Sequence, residues 1–130
     1  MFVEIPGNIV VFREGDELYL FPEAHLADLE ILESNRFAII KKGITCGTIR
    51  GNDFKPNHHL AMSLLKKNTV CTGQINNSDE IINYLRGNDL QTFFEIGWRL
   101  IMFNAQFLGW FKQIKSRGNN YYPKHLRIKQ

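Results

Sequence analysis

The chain has 130 residues, of which 44% are hydrophobic and 22% are charged; this is an ordinary composition for a globular protein and excludes the disordered class. No apolar run approaches the roughly 18 to 20 residues that cross a bilayer, so a membrane protein is not expected. The length suits one ordinary domain or two very small ones.

Charge is distributed unevenly along the chain. Residues 1–54 carry nine acidic and five basic residues, whereas residues 55–130 carry eleven basic and four acidic residues. No Asp or Glu follows Glu95. Such a basic part is suited to bind a polyanion, because each phosphate that it neutralises releases condensed counterions. It can equally be a solvated basic end, and charge alone does not decide between these two readings.

The cysteines and the N-terminus indicate a cytoplasmic protein. Cys46 and Cys71 stand alone without CxxC spacing, which is typical of reduced thiols in the cytosol. The first residues, MFVEIPGNIVVF, include Glu4 and no basic leader, so we expect no secretory signal.

The first half of the chain predicts a hairpin, a helix and short strands. Apolar runs at residues 9–12 and 18–21 flank a Glu-Gly-Asp turn, which predicts a β-hairpin. Pro22 opens a helical pattern with acidic residues on one face. Apolar pairs between Gly43 and Gly51 then predict short strands joined by tight turns.

A second helix is predicted from Asn57 to Lys67, with an apolar stripe that continues through Leu64 and Leu65. A short strand is predicted over residues 69–72. The third helix is predicted to begin after Asn77, with Glu80 three residues on as in a capping box.

This third helix is expected to end at Gly87. A β pattern follows, with a strand near Phe93 and two more over residues 98–103 and 107–114. The fold class is therefore α+β: a small mixed, mainly antiparallel, barrel-like sheet with three short helices. We place an α+β subdomain at residues 1–68 and a second subdomain at residues 69–130.

Motifs of autonomous catalysis are absent from the sequence. It contains no GxGxxG, P-loop, GxSxG or HExxH pattern. His58 and His59 diverge by about 100° on a helix, so they are poorly placed to share a metal ion, and a zinc site that adds Cys46 and Cys71 lacks the usual spacing. We therefore expect no metal, and no enzyme in this chain alone. The remaining enzyme hypothesis is a small hydrolase that uses His58 and Cys46, which would have to lie within about 4 Å or share a water.

Three local signatures occur in order along the chain. The first joins the glycine turn at residues 43–47 to FKPNHHLA; the second is YLRG at residues 84–87; the third comprises GW, GWFK and a terminal NNYYPKHLR. The positions that carry them are Phe54, Pro56, His58, Gly87, Gly97, Trp98, Gly109, Trp110, Asn119, Tyr122 and Pro123. In this order they resemble the C-terminal region of the bacterial RNA 5-methylcytosine methyltransferases of the Sun/RsmF type.

The resemblance implies an RNA-binding module, because the last part of that region is a PUA-like RNA-binding domain; residues 69–130 would correspond to it. In that family the chemistry resides in a separate domain that binds S-adenosylmethionine on a glycine-rich loop and uses cysteines in Pro-Cys and Thr-Cys contexts. This chain lacks the loop, and Thr45-Cys46 lacks the surrounding motif. The cofactor is therefore expected in the parent enzyme and not here. One departure is Phe111, which stands where the family has Gly and is expected to alter a local bulge.

The implied partner is RNA, from the small ribosomal subunit, positioned for a methyltransferase domain in cis or in trans. Lys and Arg side chains would contact phosphates and tyrosines would stack on bases. The predicted RNA-binding residues are Lys55, Arg86, Lys112, Lys115, Arg117, Tyr121, Lys124, Arg127 and Lys129. We expect the segment at residues 109–130 to be ordered, with its Lys and Arg side chains on one surface together with Arg86 or Lys55. Tyr122 can either stack on a base or pin the terminal segment, and packing is favoured.

A rival hypothesis is a protein-docking module of a ribosome-associated or RNA-modifying complex. It would use the acidic side chains of the first helix, namely Glu23, Asp28, Glu30 and Glu33.

Overall fold

The computed structural model describes residues 2–129, and they form an α+β fold as predicted. The chain divides into two compact units, residues 4–66 on the one hand and residues 1–3 with 67–130 on the other. Each unit contains one four-stranded sheet, so the described strands form two open sheets and not one closed barrel.

The sheet of the first unit is an antiparallel meander of four strands in chain order. Its strands are β1 (Ile9–Glu14), β2 (Glu17–Pro22), β3 (Ile44–Arg50) and β4 (Asp53–Pro56). The predicted hairpin is confirmed, since β1 and β2 pair across the turn at Gly15. A short 3-10 helix at Glu23–His25 leads into α1 (Leu26–Ser34), none of whose residues is buried.

Gly47 allows β3 and β4 to approach each other closely. A Cβ on Gly47 would be 2.3 Å from the Lys55 carbonyl oxygen and 2.7 Å from the Phe54 ring. The glycine of the first signature thus makes room for the aromatic ring of the same signature.

Helix α2 (His58–Met62) is shorter than predicted. Asn57 caps it by accepting a hydrogen bond from the His59 N–H at 2.9 Å, but Ser63 is already extended and its hydroxyl donates to the Leu60 carbonyl at 2.8 Å. Such a bond competes with continued helix. The predicted apolar stripe is therefore wrong beyond Ser63, and Leu64 is fully exposed.

The second unit carries the other sheet, in the order β5-β6-β7-β8, with β5 parallel to β6 and the remaining pairs antiparallel. Its elements are β5 (Thr72–Gln74), α3 (Ser78–Arg86), β6 (Gly97–Phe103), β7 (Gln106–Ile114), β8 (Arg117–Asn120) and short 3-10 helices at Thr69–Cys71 and Lys124–Leu126. The predicted strand at residues 69–72 is mostly 3-10 helix, and the one near Phe93 is wrong, since the chain there forms no strand and Phe93 is 70% exposed.

Helix α3 begins and ends where the sequence predicts. Asn77 accepts a hydrogen bond from the Asp79 N–H at 2.8 Å, and Gly87 ends the helix with a left-handed φ of 81°. Glu80 does not close the predicted capping box, because its carboxylate accepts hydrogen bonds from the N–H and hydroxyl of Thr92 instead.

The core of this unit lies between α3 and one face of its sheet. It consists of Ile75, Ile81, Tyr84, Ile101 and Phe111. Phe111 is 1% exposed, and its ring lies where a Cβ on Gly118 would be, 2.0 Å from its Cζ. Phe111, the departure from the family pattern, therefore makes a core contact. The register shift between β6 and β7 is at a different place, between Ile101 and Met102 and opposite Gly109.

Candidate nucleic-acid interface

A row of polar and aromatic side chains crosses the face of the second sheet that is turned away from α3. Lys112 on β7 is directly opposite Trp98 on β6 and Asn119 on β8. Residues directly opposite each other project from the same face, so these three side chains are neighbours. Phe111, one residue along, projects from the other face into the core.

On this face Trp98 contacts both Lys112 and Tyr121, and we call these three residues the Trp98 cluster. The rings of Trp98 and Tyr121 have centroids 4.6 Å apart and are tilted by 59°. The Lys112 ammonium lies 5.1 Å from the centre of the Trp98 ring, a cation–π distance. All three side chains are half-buried, so the cluster is both packed and partly open to solvent.

Trp110 lies on the same face but is not part of the open surface. It is 1% exposed, its ring packs edge-on against Phe2 at 5.2 Å, and its carbonyl accepts a hydrogen bond from the Tyr84 hydroxyl at 3.1 Å. Burial raises the pKa of Tyr84, so this hydroxyl remains a donor. Trp110 and Phe111 thus cover two different clusters from opposite faces of one strand.

Two further basic residues extend the same end of the sheet. Lys115 and Arg117 are exposed at and after the turn between β7 and β8, and Arg117 is directly opposite Ile114. Neither Asp nor Glu occurs after Glu95, so β6, β7 and β8 contribute no acidic side chain. Among the side chains of these three strands the charges are therefore all positive, and Glu95, just before β6, is paired with Arg99 at 3.1 Å.

Asn120, the next residue of β8, projects from the opposite face of the sheet. Asn120 donates to the carbonyls of Tyr84 and Asn88 at 2.9 Å each and accepts from the Tyr122 N–H at 2.8 Å. It thereby ties the edge strand to the C-terminal end of α3. The sequence predicts no strand after residue 114, so the alternation of β8, which separates Asn119 from Asn120, is not evident from it.

The remaining predicted RNA contacts lie at the C-terminal end of α3. The Arg127 guanidinium lies against Gly87, and its Nε donates to the Tyr122 carbonyl at 3.3 Å. Arg86 is half-buried, with an Nε that is buried and has no hydrogen-bond partner among residues 2–129. Lys124 and Lys129 are exposed.

Tyr122 packs against the core of the unit, whereas Tyr121 packs on Trp98. The centroid of the Tyr122 ring is 5.4 Å from that of Tyr84, in the core of the unit, and Pro123 precedes the last 3-10 helix. This C-terminal segment includes β8 and the 3-10 helix at Lys124–Leu126. Its basic side chains, however, do not share one surface: Lys112 and Arg117 belong to the sheet, whereas Arg86 and Arg127 lie at the end of α3 on the other side. Lys55 is exposed on β4 of the other unit.

The features that would support catalysis or metal binding are weak. Burial raises the pKa of the Cys46 thiol to about 11, so it is protonated at neutral pH and unsuited as a nucleophile. Within residues 2–129 no three His, Cys, Asp or Glu side chains come together to hold a metal ion. None of the helices described there is long and apolar enough to cross a membrane.

Comparisons with known proteins agree with the interpretation of the sequence. Residues 2–64 match the family described as the RsmF rRNA methyltransferase first C-terminal domain. Residues 76–128 match the family described as the methyltransferase RsmF PUA domain. Among curated proteins, none matches the chain.

Proposed function

We propose that this chain, which belongs to the C-terminal region of the RsmF-type rRNA methyltransferases, holds structured small-subunit ribosomal RNA for the catalytic domain of such an enzyme. Both matched parts are non-catalytic, so the chain is an RNA-binding accessory region of an rRNA methyltransferase. Beyond this, we propose that the chain positions RNA, that this RNA belongs to the small ribosomal subunit and that the protein is cytoplasmic. S-adenosylmethionine and the methyl transfer would belong to the catalytic domain, in cis or in trans, because this chain has no glycine-rich loop of that kind.

One observation supports the proposal most directly: the aromatic and basic row at the partly exposed end of the sheet face that is turned away from α3. Trp98, Lys112 and Asn119 are adjacent across three strands, and Arg117 extends the row. Cations attract the phosphate backbone, and aromatic and amide groups add contacts that are independent of charge. We assign the row to residues 69–130, the PUA-like subdomain, and treat residues 1–68 as a separate α+β subdomain.

Fluorescence anisotropy with a labelled fragment of small-subunit ribosomal RNA tests RNA binding. We expect affinity to fall steeply between about 50 and 200 mM salt, because each neutralised phosphate contributes to the salt dependence. Lys112→Gln should reduce the slope of log K against log salt by about one. Lys41→Gln, at an exposed lysine of the other unit, is the matched control and should leave it unchanged. Salt-independent binding, or no binding to this RNA, would refute the proposal.

Positioning requires a separate experiment with the catalytic domain present. If the module positions RNA, adding it should lower the KM for RNA far more than it changes kcat, because it supplies binding contacts shared by ground state and transition state. The Lys112→Gln module should reproduce only part of that effect. An unchanged KM would contradict the proposed positioning role without contradicting RNA binding.

A second function, docking onto the methyltransferase domain, is favoured by the surface of the first unit. Helix α1 buries no residue, and Ile31, Leu32, Phe37 and Ile40 are 59%, 43%, 64% and 101% exposed. Between α1 and the β1–β2 hairpin lies a groove of about 450 Å³ with mixed apolar and acidic walls, where Glu14 and Glu33 both bind Lys42. Exposed apolar groups in such number are typical of a surface that binds protein.

Charge reversal separates docking from RNA binding. Changing Glu23, Asp28 and Glu30 to Lys should weaken association with a separately produced catalytic domain, measured by calorimetry, while RNA affinity stays the same or rises. Equal loss of both, or no loss of association, would exclude α1 as the docking surface.

A further inference from the structure

We propose that the Trp98 cluster binds one unstacked base of single-stranded RNA. The inference rests on the proposed RNA-binding function and specifies what the open face of the sheet would recognise. It assigns Trp98, which the sequence placed among the structural positions, to direct contact with RNA.

The cluster is preorganised by contacts from three different strands or their ends. Trp98 projects from β6, Lys112 from β7, and Tyr121 follows β8 immediately. The Tyr121 N–H donates to the Trp110 carbonyl at 3.1 Å, which fixes the backbone beneath its ring. Because the Trp98 ring already contacts both the Tyr121 ring and the Lys112 ammonium, a base would meet a surface whose side chains need little further ordering.

Packing alone does not account for an indole at position 98. The Nε1 of Trp98 is buried and has no hydrogen-bond partner among the described residues, and an unsatisfied donor of this kind reduces stability. A phenyl ring could fill most of the same space without that cost. By contrast, Trp110 on the same face is almost fully buried, which is the ordinary position of a core tryptophan.

The chemistry of the cluster selects single-stranded RNA. Aromatic faces stack on any base, and an adjacent ammonium can contact the phosphate or a base carbonyl. Bases inside an RNA duplex are already stacked and their π-faces cannot reach such a surface. We therefore expect the ligand to be an unpaired base in a loop, a bulge or a displaced strand, held with little preference for sequence.

Tryptophan fluorescence provides a direct readout, because the chain has two tryptophans and only one lies in the cluster. In the Trp110→Phe variant, a single-stranded oligouridylate should quench the fluorescence of Trp98 saturably. The same sugar–phosphate chain with abasic positions should bind more weakly, by a factor of about five to a hundred, and should not quench. A duplex of equal length should resemble the abasic chain.

A second measurement keeps the test valid if Trp110→Phe fails to fold. In the otherwise unchanged chain, the quenching by oligouridylate should disappear in Trp98→Phe, which leaves the buried Trp110 as the reporter. Trp98→Leu should weaken binding of the oligouridylate and leave binding of the abasic chain unchanged.

The outcomes distinguish the two proposals. Salt-dependent binding of ribosomal RNA without quenching, and with equal affinity for the abasic chain, overturns base stacking while the proposed function stands. Absence of RNA binding altogether overturns both. Quenching that depends on the base and on Trp98 supports the cluster as the base-binding site.

Discussion

The guanidinium group of Arg127 lies against Gly87, the residue that ends α3: a Cβ on Gly87 would be 2.3 Å from the Arg127 Cζ. The next residue continues the contact, because the Ile128 N–H donates to the Leu85 carbonyl at 3.1 Å. A cation at this position also faces the negative end of the helix dipole. The end of the chain is thus attached to the end of α3 by both backbone and side chain.

Gly87→Ala should destabilise the protein by about 1–2 kcal/mol, because φ at this position is 81° and a left-handed conformation is unfavourable for alanine. Displacement of Arg127 should add to this. Gly51→Ala is the control, since its φ is 59° but nothing lies within 4 Å of the added Cβ. Urea denaturation should show a larger loss of unfolding free energy for Gly87→Ala than for Gly51→Ala. Removing the Arg127 side chain in the same molecule should bring the two losses closer together. Equal losses would show that the Arg127 contact contributes nothing.

Asn120→Ala should be far more damaging than Asn119→Ala, although the two residues are identical and adjacent. Asn120 makes three hydrogen bonds to the backbone near the end of α3 and to Tyr122, so its loss should cost roughly 2–3 kcal/mol at about 1 kcal/mol per bond. Asn119 projects from the other face beside Lys112, and its loss should cost well under 1 kcal/mol. Thermal unfolding of both variants checks this. Similar stabilities would mean that these hydrogen bonds are not maintained in solution.

The elements that the sequence predicts correctly are those with local causes. The cap at Asn77 and the glycine at position 87 are single-residue signals, and both mark the ends of α3 as expected. The early hairpin likewise depends on a turn and two short apolar runs. In these places local preference and tertiary structure agree.

The errors arise where distant contacts override local preference. Leu64 and Leu65 continue a helical stripe, yet Ser63 is extended and the chain leaves the helix there. The capping box fails because Thr92, twelve residues away, takes the Glu80 carboxylate. A single sequence carries no direct signal for either partner.

The candidate site shows the same division. Counting charges finds the basic residues, since Lys112, Arg117 and Arg127 all follow the last acidic residue. It cannot show that Lys112 lies beside Asn119 on one face of the sheet, or that Arg127 lies against Gly87 at the end of α3. The alternation of Trp98 with Leu100 predicts a core position, so the sequence alone does not indicate the RNA contact that we propose for Trp98.

Stability should fall above pH 9 because of Cys46. Burial raises the pKa of this thiol in the folded state from 9.0 to about 11. Below pH 9 the thiol is protonated in both states and has no effect; between pH 9 and pH 11 the unfolded chain loses the proton first, which favours unfolding by up to about 2 kcal/mol. The difference in unfolding free energy between the native sequence and Cys46→Ala, followed from pH 8 to pH 11, isolates this contribution. A difference that does not change with pH would contradict it.

Neutralising Lys112 and Arg117 on the sheet should have a different effect from neutralising Arg127 at the end of α3. Under the proposed function, Lys112→Gln with Arg117→Gln should weaken RNA binding and reduce its salt slope by about two, because each change would remove one phosphate contact. Stability should change by less than about 1 kcal/mol, since Arg117 is exposed and the Lys112–Trp98 contact is partly open to solvent.

Arg127→Gln should instead reduce stability by about 1–2 kcal/mol, because its guanidinium packs on Gly87 and bonds to the Tyr122 carbonyl. Anisotropy and urea denaturation on the same samples separate the two effects. If Arg127→Gln lowers affinity with full stability, the end of α3 contacts RNA directly, and the interface extends around the edge strand β8 to both sides of the sheet.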